Sequence, residues 1–422
     1  MIAAGGADAD IRSYDTGPMP SEFAHHWILD PSVVFLNHGS FGATPRPVLA
    51  AQSAWRDRME REPVAFFARD LEAAMDHARA SLGGFIGADA DDLAMVPNAT
   101  AGINTVAHSL QLLPGDEIIT TDHAYNAAAN ALADTAARSG ARLVVVQLPF
   151  PGTTPELARE LILDAVTPRT RLVVVDHVTS ATALVLPVAE IVTALAERGI
   201  DTLVDGAHAP GMIDLDVASI GAAYYAGNCH KWMCAPKGAG FLHVRRDHQA
   251  RVRPLAISHG ANSPRADRSR FRLEHDWTGT ADPSPYLSVP AAIEFGADLV
   301  PGGWPALLAR NREVGLRGRD LMCAALGIDA PVPDAMVAAM ASVPLALEHG
   351  PAPVEDPAVD DRLHAALLDA GVQVMVTPWP QRPERGTSWR RLVRFSAAAY
   401  VSIADLERLA EVLPSLLVAA PE

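Results

Sequence analysis

An α/β fold built on a mostly parallel central sheet is predicted by two observations. Over some ~150 residues beginning near Asp116, apolar strand-like runs alternate with helical segments. The runs themselves, RLVVVD among them, are apolar almost throughout, as strands covered by helices on both faces must be. In such a sheet a ligand binds beyond the carboxyl ends of the strands, so the polar residues there are the ones to inspect.

The elements follow in order. Residues 1–20, rich in Asp, Gly, Ser and Pro, read as a mobile tail and lack the basic start and apolar core of a secretory signal. Val33–Leu36 is a short strand or extended arm, and Asn37, Gly39 and Gly42 punctuate a turn. Pro45 and Pro47 open a helix running to about Arg61. A second helix covers roughly Phe67–Ile86 and stops at Gly87. After the short apolar run Asp91–Val96, Asn98 and Thr100 precede the helical pattern AGINTVAHSLQLL. Strand runs are Glu117–Thr121, Arg142–Gln147, Leu172–Val175 and Thr202–Val204, with helices at about 124–139, 155–166 and 188–198 between them. Beyond Phe241 the chain is loop-rich, chiefly over 258–290, and a helix follows near 289–298. Another helix at about 303–325 leads into a smaller α+β region, with strands at 338–347, 372–376 and 391–396 and helices at 358–370 and 402–417. The expected division is a tail (1–20), a large cofactor-binding domain with its N-terminal arm (21–300) and a small C-terminal domain (301–422).

Composition excludes several functions. The 422 residues are 49% apolar and 20% charged, enough for a sizeable core. A net charge of -16 argues against nucleic-acid or anionic-membrane partners. No apolar run reaches the ~18 residues that span a bilayer. Cys229, Cys234 and Cys323 make an odd, small set, which fits a reducing cytoplasm without a disulfide framework. No metal site is expected.

Lysine usage is the sharpest signal. Of 34 basic residues, all but Lys231 and Lys237 are arginine, and both lysines lie in YYAGNCHKWMCAPKGAGF at 224–241. Arginine stays protonated, whereas a desolvated lysine can lose its proton and attack a carbonyl. Polar residues follow the strands: His123 after EIITTD, Asp176 opening DHVTS, Asp205 opening DGAHAPG. One unusual lysine, a carboxylate, a flat imidazole and a helix start suit pyridoxal 5'-phosphate, which needs an amine, an anion for its ring nitrogen and a phosphate cradle. Lys231 would hold the aldehyde as an imine and then act as a base at the substrate α-carbon. Asp205 would keep the ring nitrogen protonated, and His123 would stack on the ring. The backbone N–H groups of Ala99 and Thr100 would bind phosphate at a helix N-terminus, with His230 and Thr280 as further donors. Thr179 and Ser180 either touch the ring hydroxyl or cap a turn. His208 contacts Asp205 or the cofactor, or is a buried structural histidine. Lys237, in a Pro-Lys-Gly turn, reads as structural.

The motifs NHGSFG (37–42), DHAYNA (122–127), DHVTS (176–180), VDGAHAPG (204–211), GNCHKWMCAPKGAGFL (227–242) and TGTADPSPYL (278–287) resemble class V aminotransferase-fold enzymes, a fold type I group, and within it the isopenicillin N epimerase-like proteins. The resemblance runs from about residue 30 to the C-terminus. It implies a homodimer with active sites at the subunit interface and Thr280 reaching the phosphate bound by the other subunit. It also implies that Arg394, in VRFS, clamps the substrate α-carboxylate, and that Asn37, His38 and Ser40 lie near the substrate.

The chemistry leaves several outcomes open: epimerisation, C–S β-elimination on a cysteine conjugate, transamination or decarboxylation. Epimerisation is the expected activity, in specialised metabolism, with the C–S lyase as the rival. Tyr125 and His38 are the candidates for a second proton donor, and His123 could act as an acid or assist a leaving group. Cys323 reads as core and Cys229 and Cys234 flank Lys231, so a persulfide-forming desulfurase is disfavoured. A binding protein on a catalytically dead scaffold is the reading from another class, and the retained Lys231, Asp205 and His123 weigh against it.

Overall fold

The computed structural model describes residues 21–345, 362–380 and 390–419. The expected tail, the start of the helix over 358–370 and most of the loop over 377–390 lie outside them. Strands in chain order are β1 (Val34–Phe35), β2 (Leu93–Val96), β3 (Glu117–Thr121), β4 (Arg142–Val146), β5 (Thr170–Asp176), β6 (Asp201–Gly206), β7 (Tyr224–Asn228), β8 (Gly240–Val244), β9 (Met340–Pro344), β10 (Val372–Gln373), β11 (Met375–Trp379) and β12 (Arg390–Ser396).

Seven strands form the main sheet in the order β2-β8-β7-β6-β5-β3-β4. The five from β4 to β7 are parallel, and β8 and β2 close the edge antiparallel. The period-two alternation of the strands divides the core. Ile119, Val173, Val175, Val204 and Tyr225 join one buried cluster, while Ile118, Leu172, Val174, Leu203 and Ala226 join the cluster on the opposite face. Sequence reading had registered 224–241 as one motif. The structure resolves it into the β7–β8 hairpin, paired from Tyr224↔Val244 to Asn228↔Gly240, with the lysine loop between.

Helix signals act where the sequence puts them. Asn98 caps helix Ala99–Ser109 by accepting the Ala101 N–H. Thr154 caps Pro155–Asp164, whose first residue is the proline. The expected helix from Phe67 instead begins as a π-helical turn, Phe66–Asp70, before the α-helix Leu71–Ile86.

The smaller antiparallel sheet, β11-β12-β9, packs against helix Gly303–Leu326, which in turn packs against helix Ile403–Ala419. The N-terminal arm crosses to it: β1 pairs in parallel with β10, and the Ser396 N–H donates to the Leu36 carbonyl. The next turn then returns to the lysine loop. Gly42 has φ +71°, and a Cβ there would stand 2.1 Å from the His230 carbonyl oxygen, so only glycine lets these backbones touch.

Candidate active site

Strand β3 pairs with both β4 and β5, so the chain reverses its progress across the sheet there. Side chains after β3, β5, β6 and β7 meet at this edge. Lys231 follows β7, with its Nζ 3.1 Å from His208 Nε2. Burial pulls the Lys231 amine down to about 7, helped by the Arg394 guanidinium and opposed by Asp205 and Asp176. At that value a large share is the neutral, nucleophilic amine.

Asp205, one residue before the end of β6, is in register with Asp176 at the end of β5. Both carboxyls are buried. Burial raises both affinities for a proton, that of Asp176 further because Asp205 stands beside it, while the Ala207 N–H hydrogen bond favours the ionised form of Asp205. Both carboxyls are thus biased towards the protonated form, Asp176 more strongly than Asp205.

His123 is fixed by a directed chain. The Leu184 N–H donates to Thr179 Oγ1, Thr179 lies 2.8 Å from Thr182 Oγ1, and Thr182 lies 2.6 Å from His123 Nδ1. At the other end His123 Nε2 is 3.0 Å from the Leu148 carbonyl, which can only accept. The ring is thus the Nε2–H tautomer with both nitrogens engaged, and burial lowers its pKa to about 4. Trp379 meets it edge-on at 4.4 Å between centroids. Thr182 escaped sequence reading, because a threonine 59 residues from its partner leaves no local pattern.

The helix N-terminus is at the same edge. The Ala99 N–H donates to Asn228 Oδ1 at the end of β7, and the Thr100 N–H lies in the first turn, where no intrahelical acceptor exists. His230 donates through Nδ1 to the Ala239 carbonyl, which leaves Nε2 for another partner. Thr280 lies on an exposed loop.

Arg394 comes from the centre of β12 and is 1% exposed. Its Nη1 donates to the Ser180 carbonyl at 2.7 Å, and its Nη2 to Ser40 Oγ at 3.0 Å and Asn37 Oδ1 at 3.3 Å. No carboxylate pairs with it among the described residues, and its buried Nε has no partner. Burial lowers its pKa to about 10. His38 is placed differently from the substrate contact expected of it. Nε2 donates to the Lys231 carbonyl at 3.0 Å and Nδ1 accepts from the Tyr400 hydroxyl at 2.8 Å, so the ring ties the arm to the lysine loop and offers no free edge. Among the described residues Lys237 donates to Thr44 Oγ1, at 3.4 Å. All three cysteines are free thiols; burial raises Cys234 to about 12 and Cys229 higher, and neither is a ready nucleophile.

A buried lysine of lowered basicity, a buried carboxylate on the next strand, an immobilised imidazole and a helix N-terminus at one sheet edge define a pyridoxal-phosphate-dependent enzyme of fold type I. The donor set fits that cofactor: Lys231 for the aldehyde, Asp205 for the ring nitrogen, and the first turn of helix Ala99–Ser109 with His230 for the phosphate. The chain belongs to the class-V aminotransferase family, whose pattern matches residues 42–295. It is 35% identical over 402 residues to isopenicillin N epimerase of Streptomyces clavuligerus, covering 92% of this chain and 96% of that protein. It is 31% identical over 343 residues to L-cysteine desulfhydrase of Arabidopsis thaliana, covering 77% and 73%. Among solved structures, the cysteine desulfurase CsdA of Escherichia coli superposes with a TM-score of 0.76 at 20% identity, over 95% of this chain and 98% of that one. A C-DES variant with glycine covalently linked to its PLP cofactor gives 0.74 at 20% identity, over 92% and 98%. No helix among the described residues is long and apolar enough to cross a membrane.

Proposed function

We propose that this enzyme inverts the α-carbon of an L-amino acid, as an isopenicillin N epimerase-like catalyst of specialised metabolism. One observation carries the reading: Arg394 is a buried cation held open by three neutral partners, beside a lysine amine poised near neutrality. A carboxylate is the group such a fork accepts in two hydrogen bonds, and seating an α-carboxylate there brings the α-carbon to the amine. Bound pyridoxal phosphate supplies an electron sink that acidifies that carbon.

The chain's own residues do the rest. Lys231 takes the α-proton, and its pKa near 7 suits a base at neutral pH. Asp205 would pair with the protonated ring nitrogen of the bound cofactor. His123 is a fixed neutral plate. Asn37, Ser40 and Ser180 aim the Arg394 fork. Tyr125 lies close enough to Arg394 to steady its charge and is 45% exposed, so it is the acid that returns a proton on the second face. Two copies pair so that the partner subunit's Thr280 completes the phosphate cradle; the exposed Phe41, Leu255 and Ile257 support this.

The second reading is C–S β-elimination, supported by the desulfhydrase relatives. It needs an acid for the leaving sulfur. His123 has no spare proton, with Nε2–H committed to Leu148 and Nδ1 to Thr182. The test is incubation of the holoenzyme with L-amino acids and S-substituted L-cysteines in deuterated water. Deuterium at an inverted α-carbon is expected; pyruvate plus thiol without inversion would replace this reading by the lyase, and neither product would defeat both.

A further inference from the structure

Lys231 does not face His208 alone. The Trp232 indole nitrogen lies 3.3 Å from His208 Nδ1, and His208 Nε2 lies 3.1 Å from Lys231 Nζ. An indole N–H can only donate, so His208 Nδ1 must be bare. A neutral imidazole then carries its proton on Nε2, directed at the lysine. That N–H needs a lone pair, which an amine has and an ammonium lacks. All three groups can be satisfied only if the lysine is neutral.

We propose that Trp232 is a positioning residue that fixes the tautomer of His208 and, through it, keeps the Lys231 amine unprotonated and its lone pair oriented for a carbonyl. The inference deepens the preceding reading and rests on Lys231 being the reacting amine. The opposing groups are named by the fold. Asp176 and Asp205, at the ends of β5 and β6, favour the ammonium, and Arg394 from β12 disfavours it. His38 is committed to the Lys231 carbonyl, and Lys237 lies on the same loop. Burial of lysine and histidine works in the same direction as the tautomer lock. Without the indole N–H, His208 is free to move its proton to Nδ1, and Nε2 then accepts a hydrogen bond from an ammonium.

The chain has only two lysines, so isotope labelling of lysine amine nitrogens gives two signals. In the full-length chain stripped of cofactor, the Lys231 amine should titrate near 7. Trp232→Phe should raise that midpoint by about one unit, leaving roughly fivefold less neutral amine at pH 7. In a His208→Leu background no hydrogen-bonding group links the indole to the amine, and Trp232→Phe should then shift nothing. An unchanged midpoint in the single variant, or an equal shift in both backgrounds, would overturn the proposal and leave Trp232 a packing residue. The wild-type imidazole nitrogens give a reading that needs no variant: bare Nδ1 on His208 supports the lock, and a protonated Nδ1 refutes it. Since no turnover is measured, loss of the epimerase reading and loss of this one are told apart.

Discussion

Asp176 ends β5 in direct register with Asp205, one residue before the end of the neighbouring parallel strand β6, which sets two buried carboxyl groups side by side near Lys231. Like charges so placed cannot both ionise cheaply. A carboxyl whose affinity for protons is raised by folding stabilises the fold at low pH and loses that contribution as pH rises through its folded value. Asp176→Asn mimics the protonated member. The variant stripped of cofactor is therefore expected to be more stable than wild type at pH 8, by on the order of 1–3 kcal/mol, with the gap closing below pH 4. Denaturant unfolding at the two pH values measures it. Asp205→Asn instead removes the charge meant for the ring nitrogen, and its cofactor affinity should fall while that of Asp176→Asn persists.

Arg394 gives the clearest substrate prediction. Replacing the fork by Gln should lower kcat/KM by ~10²–10³-fold, since a buried charge–charge contact is lost, with cofactor absorbance retained. Arg394→Lys keeps the charge but not the two-pronged geometry and should cost about tenfold. Steady-state kinetics with a carboxylate and a carboxamide substrate checks the cause: the variants should discriminate less between them.

Much of this site could be read from residues at strand ends, because an apolar run followed by a polar residue reports both the strand and the edge it points to. Lys231, Asp205 and His123 were legible in that way, and the parallel sheet with them. The partners were not. Trp232 meets His208, Thr182 meets His123 and Tyr400 meets His38 across 24, 59 and 362 residues, and such pairings are decided by packing alone. Trp232 left one faint trace: a buried indole needs an acceptor for its N–H. His38 looked like a substrate group because it shares a glycine-rich turn with Asn37 and Ser40. Only the packing of that turn under the lysine loop reveals its two hydrogen bonds.

Acid stability follows from the buried histidines. His38, His123, His177 and His230 are each lowered to about 4 by burial, and His208 lies well below its usual value. Histidines with lowered folded pKa stabilise above the unfolded value of 6.5, and that contribution is lost as pH falls towards 4. Asp122, raised to about 6, and the Asp176–Asp205 pair pull the other way over the same window. The histidines outnumber them, so net stability should fall as pH drops from 6.5 towards 4, at about 1.4 kcal/mol per net proton per pH unit. Unfolding midpoints across that range test it. His177→Phe should flatten the slope by about one proton, since it removes a buried imidazole whose ring is hydrogen-bonded to Tyr225.

Tyr125, as the proposed second acid, would separate proton removal from inversion. It caps the start of helix Asn126–Ser139 directly after the His123 turn, beside Arg394. If its phenol returns the proton on the second face, Tyr125→Phe must separate two events that the wild type couples. Lys231 still takes and restores the α-proton of the L-substrate, so deuterium exchange without inversion should continue within a few-fold. Inversion should fall by ~10²–10⁴-fold, the usual contribution of a positioned acid. Chiral chromatography and proton NMR on the same sample read both rates. Equal losses would make Tyr125 a substrate-binding group, and retained inversion would place the acid elsewhere. The partial exposure of the phenol bears on this choice. An acid used once per turnover must recover its proton from solvent, and His123 and His38, both sealed and doubly hydrogen-bonded, have no such path.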